Sequence, residues 1–182
     1  MQIENHWLTS ARQCPSHFFN ERPADEVSLL VIHNIALPPL IYGGKAIEQL
    51  FTGCLPTDAH PYFAQLKGLE VSAHLLIRRT GELVQFVAFD KRAWHAGASS
   101  FAGRKQCNDF SIGIELEGSD NQPYTLQQYK QLAGVTHALI KHYPLLSQTR
   151  ICGHNDIAPD RKTDPGEAFD WQVYRHDLAA YF

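Results

Sequence analysis

A chain of 182 residues can bury one hydrophobic core without disulfide or metal staples, so residues 1–182 are read as one domain, with 1–24 as an irregular lead-in. Hydrophobic residues at 44% and charged residues at 19%, without low-complexity tracts, exclude a disordered chain. A net charge of -3 and a pI near 6.3 exclude the clustered basic footprint of a nucleic-acid or anionic-membrane binder, so neither is expected as a partner.

The first residues, MQIENHWLTSARQ, lack a basic region followed by an apolar stretch, and no window approaches bilayer-spanning length, so the expected location is cytoplasmic. Cys14, Cys54, Cys107 and Cys152 form no CxxC pair and are expected as free thiols. Ten histidines are a large supply, and His33, His95 and His154, with polar or small neighbours, stand out from the rest.

In chain order, a short helix is expected over Trp7 to Arg12, followed by a proline-broken run. Val27 to His33 (VSLLVIH) is β-branched and Leu-rich without alternation, as suits a strand covered on both faces, and it places His33 at a strand-to-loop boundary. A short helix is expected over Lys45 to Phe51, where Ile47, Leu50 and Phe51 follow helical spacing. Residues 52–69 read as a long loop able to wall a groove.

Val71 to Arg78 and Leu83 to Phe89 flank a turn at Gly81 and predict a β-hairpin, with His74 in a structural role. Trp94 to Gly97 (WHAG) suits either a groove floor that stacks on a ligand or a plain buried Trp. Phe110 to Gly118 alternates so that Ser111, Gly113, Glu115 and Glu117 share one face, and two carboxylates leave a central strand on the same side. Thr125 and Gln128 form a capping box for a helix presenting Leu126, Tyr129, Leu132, Ala133, Thr136, Leu139 and Ile140 on one face and ending near Tyr143. Thr149 to Cys152 predicts a short strand, and Asp170 caps a terminal helix.

Arg150 to Gly166 concentrates His154, Asp156, Asp160, Lys162 and Asp164 in a stretch whose Pro159, Pro165 and Gly166 oppose regular structure. If the strands ending at His33 and before His154 are neighbours, these two imidazoles and Asp164 converge as three zinc ligands with an open fourth position, the pattern of a catalytic site. Such a site suits hydrolysis of an amide or ester, with Glu115 placed to take a proton from water and Lys162 to support the oxyanion.

Six motifs in order, SLLVIHN at 28–34, HPYF at 60–63, VSAH at 71–74, RAWHAG at 92–97, NDFSIGIELEG at 108–118 and GHNDIAPDRKTDPG at 153–166, resemble the cytosolic anhydro-muropeptide amidases. These belong to a zinc amidase superfamily shared with phage lysozymes and peptidoglycan recognition proteins. The resemblance covers nearly the whole chain. It implies an α/β fold with a central mixed sheet flanked by helices, a Zn2+ at strand ends on His33, His154 and Asp164, and Glu115 and Lys162 as catalytic residues. The implied reaction cuts the amide between the lactyl group of 1,6-anhydro-N-acetylmuramic acid and L-Ala in soluble anhydro-muropeptides, as part of cell-wall recycling. Asn34, Tyr62 and Trp94 are expected to line the substrate groove, and Arg104 or Lys105 to meet stem-peptide carboxylates. The alternative is a peptidoglycan-fragment binding module that keeps the fold without catalysis. A complete His, His, Asp set accompanied by Glu115 and Lys162 argues against it, because binding alone needs none of them.

Overall fold

The computed structural model describes all 182 residues. Its centre is a six-stranded sheet of β1 (Arg12–Gln13), β2 (Leu29–Ile35), β3 (Leu75–Ile77), β4 (Leu83–Gln85), β5 (Ser111–Glu117) and β6 (Ile151–Gly153). The spatial order is β6-β2-β5-β3-β4-β1, parallel throughout except for the antiparallel β3–β4 hairpin, so the sheet is mixed. The helices are α1 (Ala46–Phe51), α2 (Pro61–Ala64), α3 (Leu126–His142), α4 (His154–Ile157) and α5 (Trp171–Ala179).

The two faces of the sheet carry different cargo. Leu30 and Ile32 on β2 and Ile112, Ile114 and Leu116 on β5 point to one side, where Tyr129, Leu132, Val135 and Leu139 of α3 and Tyr174 and Leu178 of α5 complete the main core. On the other side, α1 and Phe63 of α2 pack over Leu76 and Val84 towards one edge. Leu29 and Val31 meet Phe110, Cys152 and Ile157 towards the other. Between these two apolar clusters the strand positions of the same face are His33, Glu115 and Glu117.

Thr125 and Gln128 exchange the expected capping-box hydrogen bonds at the start of α3, and the amide of Gln128 also donates to the carbonyls of Ile77 and Glu117. One side chain thus caps the helix and ties it to the ends of β3 and β5. Asp170 accepts from the backbone of Gln172 and Val173 and caps α5, as its position suggests.

Three local expectations are corrected. No helix spans Trp7 to Arg12: Asn5 and His6 take positive φ values of 49° and 66°, the backbone of a tight hairpin turn between Ile3–Glu4 and Trp7–Leu8, and Arg12–Gln13 then joins the sheet edge. Leu126, assigned by spacing to the inner face of α3, is 75% exposed, because it is the first residue of the helix and overhangs the core. Residues 154–157 form a helical turn rather than loop, with the Asp156 carboxylate accepting from the Gly153 amide at 2.7 Å.

Glu117 is not a free carboxylate beside Glu115. It accepts from Arg78 Nη1 at 2.9 Å and from the backbone amides of Gly43 and Arg79 at 2.6 and 3.1 Å, while Arg78 reaches on to Glu48. With Glu117 only 2% exposed, this is a buried, fully hydrogen-bonded ion pair at the end of β5. Removing one partner of such a pair costs about 3–5 kcal/mol, since the other is left buried with its charge uncompensated. Glu117→Ala is therefore expected to lower the urea midpoint by the equivalent of about 3 kcal/mol. A change below about 1 kcal/mol, the range of a surface ion pair, would show that the pair does not secure the strand end.

Candidate active site

Three adjacent parallel strands, β6, β2 and β5, end on the same edge of the sheet, where ligand sites of open α/β sheets are found. Pairing sets the neighbours. His33 on β2 is the register partner of Glu115 on β5, and Gly153 on β6 is the partner of Ile32, so His154 emerges beside His33. Asp164 returns to this edge through the following loop, held by a hydrogen bond from the Asn155 amide to its carbonyl and by Asn34 and the Tyr124 hydroxyl, both donating to the Pro165 carbonyl.

His33 Nδ1, His154 Nδ1 and Asp164 Oδ2 form a triangle with every edge 3.0 Å. Hydrogen bonds alone do not account for it. His154 Nε2 lies 3.1 Å from the Ala96 carbonyl, which only accepts, so Nε2 carries a proton and, in the neutral form that ligation requires, Nδ1 presents a lone pair. That lone pair faces a carboxylate oxygen, an arrangement relieved by a cation shared among the three atoms. Ligand atoms about 2.0–2.1 Å from a tetrahedral zinc stand roughly 3.3 Å apart, close to the observed edges. The three side chains therefore fit a metal ion.

Burial sets the protonation around them. Desolvation pushes His33 down to about 4 despite the opposing pull of Asp164, so its ring is neutral near pH 7 and able to ligate. His95 keeps part of its surface open to the cleft but is crowded enough that desolvation drives it well below its ordinary value. Glu115 is moved the opposite way. Burial, reinforced by the negative charge of Asp164 and partly offset by Lys162, raises its carboxyl well above the usual range. Its Oε2 is buried with no hydrogen-bond partner, in contrast to the fully paired carboxylate of Glu117.

These groups line a cleft of about 780 Å³ that also takes in Asn34, Tyr62, Trp94 and Lys162. Trp94 lies on the wall, its indole N–H donating to Asn20 Oδ1 at 2.6 Å and its ring stacked near Phe18, so it serves the groove and the packing beneath it. Asn34 spends its amide N–H groups on Asp120 Oδ1 and the Pro165 carbonyl, leaving its own oxygen as an acceptor. Lys162 makes no side-chain hydrogen bond or ion pair, and it is near enough to depress both His33 and Glu115.

Arg104 is elsewhere. Its guanidinium holds both oxygens of Glu26 at 2.8 Å and lies 3.9 Å from the Phe110 ring centroid, in a separate hollow with Arg150. Engaged by a carboxylate and an aromatic face, Arg104 stands outside the cleft that Asn34, Tyr62 and Trp94 line. The cations on the cleft wall are Lys162 and its neighbour Arg161, whose Nη2 donates to the carbonyls of Ala96 and Ala98. Nothing in the sequence beside Arg161 points to these carbonyls, which lie about sixty residues away. His74 is structural as expected, accepting from the Gly113 amide and donating to the Lys91 carbonyl.

Residues 23–167 match the N-acetylmuramoyl-L-alanine amidase family model. The chain belongs to that family, and it is an amidase. It is 59% identical over 176 residues to the 1,6-anhydro-N-acetylmuramyl-L-alanine amidase AmpD of Escherichia coli K12, covering 96% of each chain. Identity to AmpD of Haemophilus influenzae is 51% over 173 residues, with 94% of each covered. A crystal structure of an AmpD derivative superposes with a TM-score of 0.95 at 57% identity, covering 98% of this chain and 99% of that one. The E. coli amidase AmiD, solved with anhydro-N-acetylmuramic acid-L-Ala-D-gamma-Glu-L-Lys, aligns with a TM-score of 0.60 at 29% identity over 83% of this chain and 57% of that one. The mixed sheet and flanking helices implied by the sequence are those of the AmpD fold.

The strained ionisation of Glu115 has a measurable sign. A carboxyl whose folded pKa lies above its unfolded value contributes stability at low pH and loses it as pH rises through the folded pKa. In metal-free protein at pH 7, Glu115→Gln is therefore expected to raise stability on the order of 1 kcal/mol by removing a buried carboxyl whose ionisation the fold opposes. The gain should shrink as the pH is lowered towards 4, which paired urea melts would reveal, and a destabilised Gln variant at pH 7 would contradict it.

Proposed function

We propose that this chain is a zinc-dependent amidase of soluble anhydro-muropeptides, cutting the amide between the lactyl group of 1,6-anhydro-N-acetylmuramic acid and L-Ala in cytoplasmic cell-wall recycling. The observation that carries the reading is the 3.0 Å triangle of His33, His154 and Asp164 beside an unpartnered buried Glu115. A binding module has no use for an unpaired buried acid, which costs stability and is retained where proton transfer needs it. When bound, zinc supplies a Lewis acid for the amide carbonyl and lowers the pKa of water to about 7.

The chain's own groups do the rest. Glu115, through its free Oε2, takes the proton of the attacking water and returns it to the departing amine of L-Ala, a shuttle for which a raised carboxyl pKa is suited. Lys162, uncommitted to any partner, faces the oxyanion that develops on the lactyl oxygen. Trp94 and Tyr62 offer flat faces to the sugar and lactyl group, and the Asn34 oxygen accepts from a peptide N–H. With Lys162 at the oxyanion, Arg161 is the cleft cation available to stem-peptide carboxylates. No helix is long and apolar enough to cross a membrane, and all four cysteines are free, as suits a reducing compartment.

Purified protein should hold one zinc per chain and release L-Ala-terminated peptide from anhydro-muramyl tripeptide, with loss of activity on chelation and recovery on adding zinc. Mass spectrometry locates the cut. Equal rates on intact sacculi, or cleavage at any other amide, would contradict the reading. Glu115→Ala and Lys162→Ala are each expected to retain zinc and lose roughly a hundredfold or more in turnover. A Lys162→Ala enzyme with parental kcat would remove Lys162 from the mechanism. Because imidazole must be neutral to ligate and burial holds His33 down to about 4, zinc affinity should weaken as pH falls towards about 4.

A further inference from the structure

Both imidazoles of the triangle lean on one short segment. His33 Nε2 lies 2.9 Å from His95 Nδ1, and His154 Nε2 lies 3.1 Å from the carbonyl of the next residue, Ala96. The segment is clamped from behind, because Asn108 Oδ1 accepts the backbone amides of both His95 and Ala96 at 3.2 and 2.8 Å. The His95 ring lies over Gly113, where an added Cβ would stand 2.4 Å from it, and its Nε2 reaches Ser111 Oγ at 3.2 Å. The alternating strand therefore devotes two small residues, Ser111 and Gly113, to seating one imidazole.

His95 is not one of the three clustered ligand residues, and its ring nitrogens are committed to His33 and Ser111. We propose that His95 is a positioning residue for His33, accepting the Nε2 proton on its own Nδ1 so that the His33 Nδ1 lone pair is the one turned to Asp164 and His154. The inference rests on the zinc reading above. A neutral imidazole has one proton to place. With Nε2–H donated to His95, Nδ1 is left bare, while the second proton of the relay sits on His95 Nε2 and points to Ser111 Oγ. His154 obtains the same result from the Ala96 carbonyl, so adjacent residues set the tautomer of both rings, one with its side chain and one with its backbone.

The test compares three proteins for zinc dissociation constants, by competition with a chromophoric chelator, and for the visible spectrum of the cobalt(II) form. His95→Phe keeps a ring over Gly113 but offers no acceptor, and it is expected to bind zinc about 10- to 100-fold more weakly, as is usual when the partner of a ligating His is lost. His95→Asn returns an acceptor oxygen near the Nδ1 position and is expected to recover most of that affinity and the parental cobalt spectrum. Thermal melts of the metal-free proteins establish that the variants are folded. If His95→Phe does not fold, His95→Ala carries the same comparison against His95→Asn. Parental zinc affinity in the folded Phe or Ala variant would overturn the proposal, as would equal weakening in the Asn variant. A parent chain that bound no zinc would instead overturn the zinc reading itself.

Discussion

The parallel register between β2 and β5 is the constraint on which the rest of the site depends. It sets Glu115 opposite His33 with both side chains on one face, and the next parallel pairing, β6 with β2, brings His154 to the same edge. A slip of one residue in either ladder would turn an imidazole or Glu115 into the apolar face under α3 and α5, where neither has a partner. The core on that opposite face therefore protects the chemistry. Ile32, Ile114 and Leu116, fully buried against the helices, fix which residues are left to face the cleft.

Glu115 and Glu117 show that a shared face does not dictate a shared role. Both are buried and two residues apart, but Glu117 stands opposite the run that ends in Arg78, whereas Glu115 stands between His33 and Leu76. The first acquires an arginine and two backbone donors; the second acquires none for Oε2. The same burial thus has opposite effects. It strengthens a paired carboxylate and leaves an unpaired one reluctant to ionise, the state that suits the proton shuttle proposed for Glu115.

Much of this was legible in the sequence because the relevant signals are local. The unbroken VSLLVIH run, the alternation from Phe110 to Gly118 and the Thr125–Gln128 box each report on a few consecutive residues, and the strands and helix they predict are present. Convergence of His33, His154 and Asp164 could be posed only as a condition on strand order, since His33 lies more than a hundred residues from the other two and pairing in the sheet brings them together. Arg104 lies outside the cleft for the same reason in reverse. Its surroundings in sequence are basic and polar, and nothing there announces that Glu26 and Phe110 meet it in space. The N-terminal hairpin is hard to read from sequence because its turn rests on Asn5 and His6 at positive φ, a conformation uncommon outside glycine.

The cleft-facing side of the sheet also explains how one environment can prepare two kinds of group. Near pH 7 a ligating imidazole must be uncharged and a proton-shuttling carboxyl must hold its proton more tightly than an exposed acid, and loss of solvation moves both that way by opposing the charged form of each. No separate device is required for the two shifts. What burial cannot supply is direction, meaning which nitrogen of each ring is bare and which carboxylate oxygen is free. Direction comes from fixed partners behind the groups: the Ala96 carbonyl for His154, His95 for His33, and the absence of any donor at Glu115 Oε2. Depth within the fold thus sets the ionisation of the site, while the segment from Trp94 to Gly97 and its Asn108 clamp set its geometry.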